Sequence, residues 1–270
     1  MTTVLNHVVQ RRDGQGPALL LVHPLGGDLT FWDECIAYWP SLTCVAVDLR
    51  SAGGSPRPAA PVSAAEHARD LEALRRELGI ASVVPIGCAI GSMIAAAYAA
   101  RHPDVVRGVV LSNPALRTSE AARTMLADRA AAVRKGGMEA ILPGAINRAF
   151  LEQPKDERYR RYYTRFAQQD AEAYALSALA VLDADASDDL EALRCPALVV
   201  AGGHDVLLPP EQSRAVHALI ADAQFHLLED AAHFSPLQQP RAFADLVLAF
   251  LRHIESAPDS QRAATTGAVR

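Results

Sequence analysis

The chain has 270 residues, 50% of them apolar, and a formal net charge of −5 at pH 7. This composition can supply a sizeable core, in one large α/β domain or two small ones. The negative charge argues against an extended basic surface for nucleic acid, and the longest apolar runs are far too short to span a bilayer.

The sequence predicts a cytoplasmic protein. Its first residues lack a basic segment followed by an apolar run, so no secretory signal is visible. Its cysteines show neither paired spacing nor the spacing of metal ligands, so we expect reduced thiols and no metal site. The cysteines are Cys35, Cys44, Cys88 and Cys195.

Short apolar runs alternate with helical patterns along most of the chain. This alternation predicts an α/β fold with a mostly parallel, doubly wound sheet that is covered on both faces. The predicted strands are 18–23, 43–48, 82–87, 106–112, 197–202 and 224–228. The predicted helices are 31–38, 63–78, 92–101, 210–220 and 239–254. Ser63 and Glu66 form a capping-box pattern at the start of the second helix, and Gly79 fits its end.

The alternation stops between residues 115 and 193. This stretch is helical in pattern, rich in alanine and arginine, and contains no convincing buried strand. We therefore expect a helical lid that is inserted into a core formed by residues 1–114 and 194–255. Residues 256–270 are small and polar, and we expect them to form a disordered tail.

The segment Gly87-Cys88-Ala89-Ile90-Gly91 has the pattern of a nucleophile elbow, with alanine at the position of the nucleophile. Such an elbow is a tight turn between a buried strand and a helix, and it holds its central residue in a strained conformation with the side chain exposed. The flanking positions must be small because backbone segments approach each other closely there. A shift of one residue would make Cys88 the nucleophile, but it would place two bulky isoleucines at these positions. Cys88 and the nearby Ser92 are therefore interpreted as structural.

Four further segments make the chain resemble the α/β-hydrolase family from residue 17 to residue 254. Residues 21–27 resemble the family loop that contributes to an oxyanion hole, and residues 48–55 resemble the family's Asp-x-Arg-Gly-x-Gly-x-Ser turn after the next strand. Residues 201–205 resemble the loop of the catalytic acid, and residues 230–236 resemble the loop of the catalytic histidine. The order Ala89, Asp205, His233 is the family order of nucleophile, acid and base. Since only about 17 residues precede the first clear strand, one or both of the family's opening antiparallel strands should be short or missing.

The resemblance implies a catalytic role for each of these residues. His233 would act as general base, and Asp205 would fix its tautomer and stabilise the imidazolium. The backbone N–H groups of Leu25 and Ile90 would form the oxyanion hole. Taken singly, Asp205 could cap a turn and His233 could be a surface residue, but their placement after consecutive strands favours the catalytic interpretation.

Two other loop residues and one aromatic residue have a structural interpretation. We expect Asp48 and Arg50 to brace the loops around the site, and Trp32 to pack in the core.

Ala89 leaves three functional hypotheses open, because a methyl group cannot attack a carbonyl carbon. In the first, alanine was introduced in place of serine, and this form is an inactive trap for substrate. In the second, alanine is native and His233 activates water, as the similarity to aminoacrylate hydrolases with an alanine elbow implies. The third is a non-catalytic small-molecule binder on a hydrolase fold, which the presence of both Asp205 and His233 disfavours.

The predicted substrate is a small ester, an enol lactone or a related carbonyl compound, and no organic cofactor or metal is expected. Residues 171–193 resemble the junction between lid and core in 3-oxoadipate enol-lactonases. Arg161 and Arg165 share one helical face with Arg158, with Tyr162 and Phe166 beside them. If this face looks into the pocket, Arg161 and Arg165 would bind a carboxylate of the substrate; a solvated helix face is the alternative. The sequence makes no prediction of an oligomeric state.

Overall fold

The computed structural model describes residues 5–11 and 16–256 of the chain. Its centre is a seven-stranded sheet with the order β1-β3-β2-β4-β5-β6-β7. All neighbouring strands are parallel except β1, which pairs with β3 in the antiparallel direction. The strands are β1 His7–Gln10, β2 Ala18–Val22, β3 Cys44–Val47, β4 Val83–Cys88, β5 Val109–Ser112, β6 Ala197–Gly202 and β7 Ala223–Leu228. The predicted mostly parallel α/β sheet is thus confirmed.

Burial along the sheet follows from the helices on both of its faces. Every residue of β2, β3, β4, β5 and β6 is buried, whereas every residue of the edge strand β7 is only half-buried. This explains why the central strands are continuous apolar runs, since neither of their faces meets water. The first strand, β1, was not predicted because it has only four residues, one of them exposed and three half-buried. It is a short opening antiparallel strand, as the resemblance implied.

Seven of the described helices follow the core strands or connect them. They are α1 Asp33–Ala37, preceded by a 3-10 turn at Leu29–Trp32, α2 Ala64–Glu77, α3 Ile90–Arg101, α8 Ser187–Glu191, α9 Pro210–Leu219, α10 Ser235–Gln238 and α11 Pro240–Ser256. Helix α2 begins with the predicted capping box: the Glu66 N–H donates to Ser63 Oγ at 3.2 Å, and the Ser63 N–H donates to the Glu66 carboxylate at 2.9 Å. Gly79 follows this helix with a φ of +66°, as expected of a helix-terminating glycine.

The segment between β5 and α8 is helical. It contains α4 Glu120–Gly136, a 3-10 turn at Met138–Ile141, α5 Gly144–Ala149, α6 Glu157–Ala167 and α7 Ala171–Ala180. We refer to helices α4 to α7 as the lid. An isolated antiparallel bridge between Arg117 and Asp185 joins the two ends of this segment.

The described part of the chain ends at the first residue of the predicted tail. Helix α11 continues through Ser256, the first residue of that tail, and residues 257–270 lie outside the described residues. Among the described helices, none combines the length and the apolar character that crossing a membrane requires.

Candidate active site

The register of the central strands brings the ends of β2, β4, β5 and β6 to one edge of the sheet. Val22 pairs with Gly87, Cys88 pairs with Ser112, and Ser112 pairs with Val200. Because the strands are parallel, the loops that follow them lie side by side. The residues predicted for catalysis and for the oxyanion hole belong to these loops, to the start of α3 and to the loop after β7, whereas Arg161 and Arg165 lie on α6.

The elbow after β4 has the strained geometry that its sequence predicts. Ala89 has φ 51° and ψ −117°, a backbone conformation that residues with a Cβ rarely adopt. A Cβ on Gly87 would lie 2.1 Å from the Gly91 carbonyl oxygen, and a Cβ on Gly91 would lie 2.4 Å from the Val22 carbonyl oxygen. The second close approach is to β2, the neighbouring strand, rather than to β4. Both glycines are therefore required for strand and helix to meet at this turn.

Cys88 and Ser92 have structural positions on either side of Ala89. The Cys88 side chain is buried beneath the site, where burial raises the pKa of its thiol well above the ordinary value. Its sulfur donates to the His233 carbonyl oxygen at 3.8 Å. Ser92 is buried in α3 and donates to the carbonyl oxygens of Gly87 and Ser112, at 2.9 Å each. The positive φ at Ala89 and the buried positions of Cys88 and Ser92 agree with the register that places Ala89 at the elbow.

Asp205 and His233 form a hydrogen-bonded pair. Nδ1 of His233 lies 3.0 Å from Oδ2 of Asp205, and the acid also accepts hydrogen bonds from the backbone N–H groups of Leu207 and Leu208 at 2.9 Å. The carboxylate is fully buried, and burial alone would raise its pKa. The charge and hydrogen bond of His233, with further hydrogen bonds, outweigh burial and hold the pKa of Asp205 below its ordinary value. An ionised Asp205 thus holds the ring through Nδ1, and Nε2 takes no part in this hydrogen bond.

Asn113 supports this pair and was not predicted from the sequence. Its side-chain amide donates to Oδ2 of Asp205 at 3.0 Å and to the Ala232 carbonyl oxygen at 2.9 Å, linking the acid to the loop of His233. Asn113 directly follows β5 and has a φ of 48°, a conformation that asparagine tolerates better than most residues. An asparagine immediately after a buried strand, at the edge where Ala89 and Asp205 lie, is the signal that could have identified it.

Leu25 and Ile90 line the same cavity as Ala89 and His233. Within the described residues, neither of their backbone N–H groups has a hydrogen-bond partner. His23 fixes the first loop: its Nδ1 donates to the Pro24 carbonyl oxygen at 2.8 Å, while its Nε2 accepts from the Leu49 N–H at 3.0 Å. Burial lowers the pKa of His23, consistent with this neutral tautomer. Two backbone N–H groups without a partner therefore belong to residues that line the space next to the elbow.

Asp48 and Arg50 brace the surrounding loops, as predicted. The Asp48 carboxylate accepts from the N–H groups of Leu29 at 2.7 Å and Gly54 at 2.8 Å, so it connects the loops after β2 and β3. Arg50 forms two hydrogen bonds with Asp70 on α2, at 2.6 and 2.7 Å. Neither side chain lines the cavity at the elbow. Trp32 is completely buried in the core, also as predicted.

The cavity at the elbow has a volume of about 210 Å³ and lies between the sheet edge and the lid. Its walls are mainly apolar. Lid residues that contribute to them include Met125, Leu126, Ile146, Tyr162, Phe166 and Tyr174. Phe166 also packs against the loop after β2, because a Cβ on Gly26 would lie 2.3 Å from its ring. No group of three or more His, Cys, Asp or Glu side chains in residues 5–11 and 16–256 is placed to hold a metal ion.

Arg161 and Arg165 do not line this cavity, which corrects their expected role. Arg161 forms an ion pair with Glu34, and Arg165 forms one with Asp28 at 3.0 Å; both arginine side chains are about half exposed. The reason is their position on α6, since they lie one residue before Tyr162 and Phe166, about 100° away around the helix. The aromatic face packs into the cavity, and the arginine face bridges to Asp28, before α1, and to Glu34, within α1.

The family model that matches this chain is that of the alpha/beta hydrolase fold, over residues 17–240. Among curated relatives, 3-oxoadipate enol-lactonase 2 of Acinetobacter baylyi is 28% identical over 240 residues, which is 87% of this chain and 89% of the relative. A provisionally named carbamate hydrolase from Caulobacter sp. is 28% identical over 254 residues, 87% of this chain and 92% of the relative.

Solved structures show the same similarity. The enol-lactonase of Burkholderia xenovorans has a TM-score of 0.85 and 29% identity, with 92% of this chain and 96% of that chain covered. A thermophilic esterase from Thermogutta terrifontis, with malate bound, has a TM-score of 0.84 and 28% identity, with 94% and 97% covered. With the family model spanning most of its length, this chain belongs to the α/β-hydrolase fold family and is a hydrolase.

Proposed function

We propose that this protein hydrolyses a small, reactive carbonyl compound, an ester, enol lactone or carbamate, by direct attack of a water molecule that His233 deprotonates. The observation that carries the proposal is the intact Asp205–His233 pair, at 3.0 Å, in a cavity whose elbow ends in a methyl group. The base and its orienting acid are present, whereas the elbow has no side-chain oxygen to attack with. Water is then the nucleophile.

The reaction proceeds in two steps. The water oxygen attacks the carbonyl carbon while one of its protons passes to Nε2 of His233, and the carbonyl oxygen becomes an oxyanion that accepts hydrogen bonds from the Leu25 and Ile90 N–H groups. The bond to the leaving group then breaks, and the leaving group takes the proton from Nε2. An ester gives a carboxylic acid and an alcohol, a carbamate gives a carbamic acid and an alcohol, and an enol lactone opens to one molecule that carries both the acid and the enol. His233 returns to its neutral form.

The substrate must be reactive, because the covalent route is closed. Without a nucleophilic side chain, the rate comes from general-base catalysis, the oxyanion donors and binding. Enol lactones and activated esters expel a stabilised leaving group, so they can be hydrolysed by a site without a nucleophilic side chain. The names of the enol-lactonase and esterase relatives agree with such substrates.

Steady-state assays of 4-nitrophenyl acetate, an enol lactone such as α-angelica lactone, and a 4-nitrophenyl carbamate test the proposal. We expect turnover of at least one of them, a loss of about 10²-fold or more in His233→Ala, and no covalent adduct in the intact mass of the protein during turnover. His253→Ala is the control, since His253 lies in the last turn of α11, outside the cavity.

Three results would contradict the proposal. Equal rates for the wild type and His233→Ala would remove His233 from the reaction. An acyl adduct on Cys88 would assign the nucleophile to the thiol. Binding of these compounds without turnover, even after Ala89→Ser, would indicate a non-catalytic binder.

A further inference from the structure

Arg129 is a charged residue in the cavity for which the hydrolytic mechanism has no use. It lies on lid helix α4, is half-buried, and lines the cavity together with Ala89 and His233. A guanidinium group is always ionised at physiological pH, so its burial in a mainly apolar wall requires compensation.

The neighbouring arginines of the lid have this compensation within the protein. On the same helix, Arg123 pairs with Asp183 at 2.7 Å, and Arg134 pairs with Glu172 at 2.7 Å. Arg117, the other arginine at the cavity, pairs with Asp185 at 3.6 Å and has a side chain that is 63% exposed. Arg129 differs from them, because in the described part of the chain it has no carboxylate partner.

Two tyrosines add polar groups to the same wall. The Tyr162 hydroxyl is buried and has no hydrogen-bond partner among the described residues. Burial raises the pKa of both Tyr162 and Tyr174, and the positive charge of Arg129 opposes this rise for each of them. For Tyr174 a side-chain hydrogen bond from Arg129 adds to the effect of its charge. A cation without a carboxylate partner and an unpartnered buried hydroxyl in one cavity wall are complementary to an anion with several acceptor atoms.

We propose that the substrate carries a carboxylate, and that Arg129 binds it with the Tyr162 hydroxyl as a further donor. This inference rests on the proposed function, since it names the class of ester or lactone that the site hydrolyses: one that bears a second, ionised carboxyl group. It replaces Arg161 and Arg165, which are neutralised by Glu34 and Asp28 outside the cavity. Arg129 thereby determines specificity, and His233 performs the chemistry.

The experiment compares an anionic substrate with its neutral counterpart in matched variants. The probes are 4-nitrophenyl hydrogen adipate and methyl 4-nitrophenyl adipate, which differ only at the distal carboxyl group: it is ionised in the first and methyl-esterified in the second. In Arg129→Met we expect KM for the anionic ester to rise about ten- to hundredfold, with KM for the neutral ester changed less than about twofold. Arg129→Lys should recover part of the loss because it restores the charge without the planar fork.

Arg123→Met is the matched control. Arg123 lies on the same helix, but it is exposed and does not line the cavity, so both KM values should stay unchanged. Thermal unfolding of each variant checks that the lid helix is intact. Equal increases of KM for the two esters in Arg129→Met would overturn the proposal.

A binding measurement separates this proposal from that of hydrolysis. Calorimetric titration of the wild type with monomethyl adipate should show binding that is weakened about tenfold or more in Arg129→Met. If neither ester is hydrolysed but this Arg129-dependent binding is found, the hydrolytic function fails and the carboxylate site stands. If both esters are hydrolysed but monomethyl adipate binds equally to wild type and Arg129→Met, the carboxylate site fails and the hydrolytic function stands.

Discussion

Ala89 occupies the strained turn from which a nucleophile would act, with φ 51° and an N–H that donates to the Ser112 carbonyl oxygen at 2.9 Å. The strain is set by the backbone packing of Gly87 and Gly91, and it does not depend on the side chain at position 89. A larger side chain at this position would extend into the cavity that His233 also lines. The elbow is therefore preorganised for a group that the sequence does not supply.

Ala89→Ser should convert the protein to a covalent mechanism. We expect the introduced hydroxyl to react with a 4-nitrophenyl phosphonate and to give an adduct of one equivalent by intact mass spectrometry, while the wild type gives none. Hydrolysis of 4-nitrophenyl acetate should rise about 10²-fold or more. The double variant with His233→Ala is the control and should lose both effects. Absence of labelling in a folded Ala89→Ser protein would show that His233 is not aligned with the elbow.

Residues with a motif around them could be predicted from the sequence, and residues defined only by contacts could not. Ala89, Asp205 and His233 follow recognisable turns after strands. Asn113 and Arg129 are placed by distant parts of the chain, and their partners become visible only when the strands and the lid are assembled. Nothing in the local pattern separates Arg129 from the other lid arginines, because the decisive fact is which of them has a carboxylate nearby.

At the scale of elements, strands and their connecting helices were predictable where the apolar pattern is continuous. Five of the predicted strands agree with the structure to within one residue at each end: β2, β3, β4 and β6, which are buried throughout, and the half-buried edge strand β7. The predicted strand 106–112 was longer than β5, which begins at Val109, because only an isolated bridge pairs Val106 with Val83.

The orientation of α6 was not predictable. Its arginine and aromatic faces are both suitable for a pocket, and only packing against Gly26 and Phe234 selects the aromatic one.

The close approach of α3 to β2 can be tested by adding one methyl group. Gly91→Ala would place a Cβ 2.4 Å from the Val22 carbonyl oxygen, so we expect a loss of about 3 kcal/mol in the free energy of unfolding. Gly144→Ala is the matched control, because its Cβ would meet nothing within 4 Å at the start of α5. It should be neutral or stabilising by up to about 1 kcal/mol. Urea denaturation measures both, and similar values for the two variants would show that α3 can move away from β2 without cost.

At the scale of the whole molecule, Glu72 links helices α2 and α3 through hydrogen bonds. It lies on α2, accepts hydrogen bonds from Arg75 at 2.8 Å and Arg76 at 2.6 Å, and accepts from the Tyr98 hydroxyl of α3 at 3.0 Å. The hydrogen bond from Arg75 is the largest cause that lowers the pKa of Glu72 to about 2, against the opposing effect of burial. The carboxylate is therefore ionised in the folded state down to a low pH.

This lowered pKa makes stability depend on pH in a defined direction. Because the folded-state pKa lies below the ordinary value of 4.5, the ionised group stabilises the fold by at most about 3 kcal/mol above pH 4.5, and this contribution is lost as the pH falls towards 2. Glu72→Gln should therefore lower the free energy of unfolding at pH 7, with a smaller difference from wild type at pH 3.5. Urea denaturation at the two pH values measures this. Glu77 is exposed on the same helix, so the free energy of unfolding of Glu77→Gln should stay within about 0.5 kcal/mol of wild type at both pH values. An effect of Glu72→Gln that does not change with pH would contradict the assignment.

The arrangement of the site along the sheet edge has a consequence for any assay of this protein. The site is assembled from residues that follow five different strands, and it is complete only when all five strands are in place. These residues are Leu25, Ala89, Asn113, Asp205 and His233. A partially folded state that lacks β2, β4, β5, β6 or β7 lacks at least one residue of the proposed site. Turnover is therefore a measure of the fraction of molecules with a complete sheet, and loss of activity on heating should coincide with global unfolding rather than precede it.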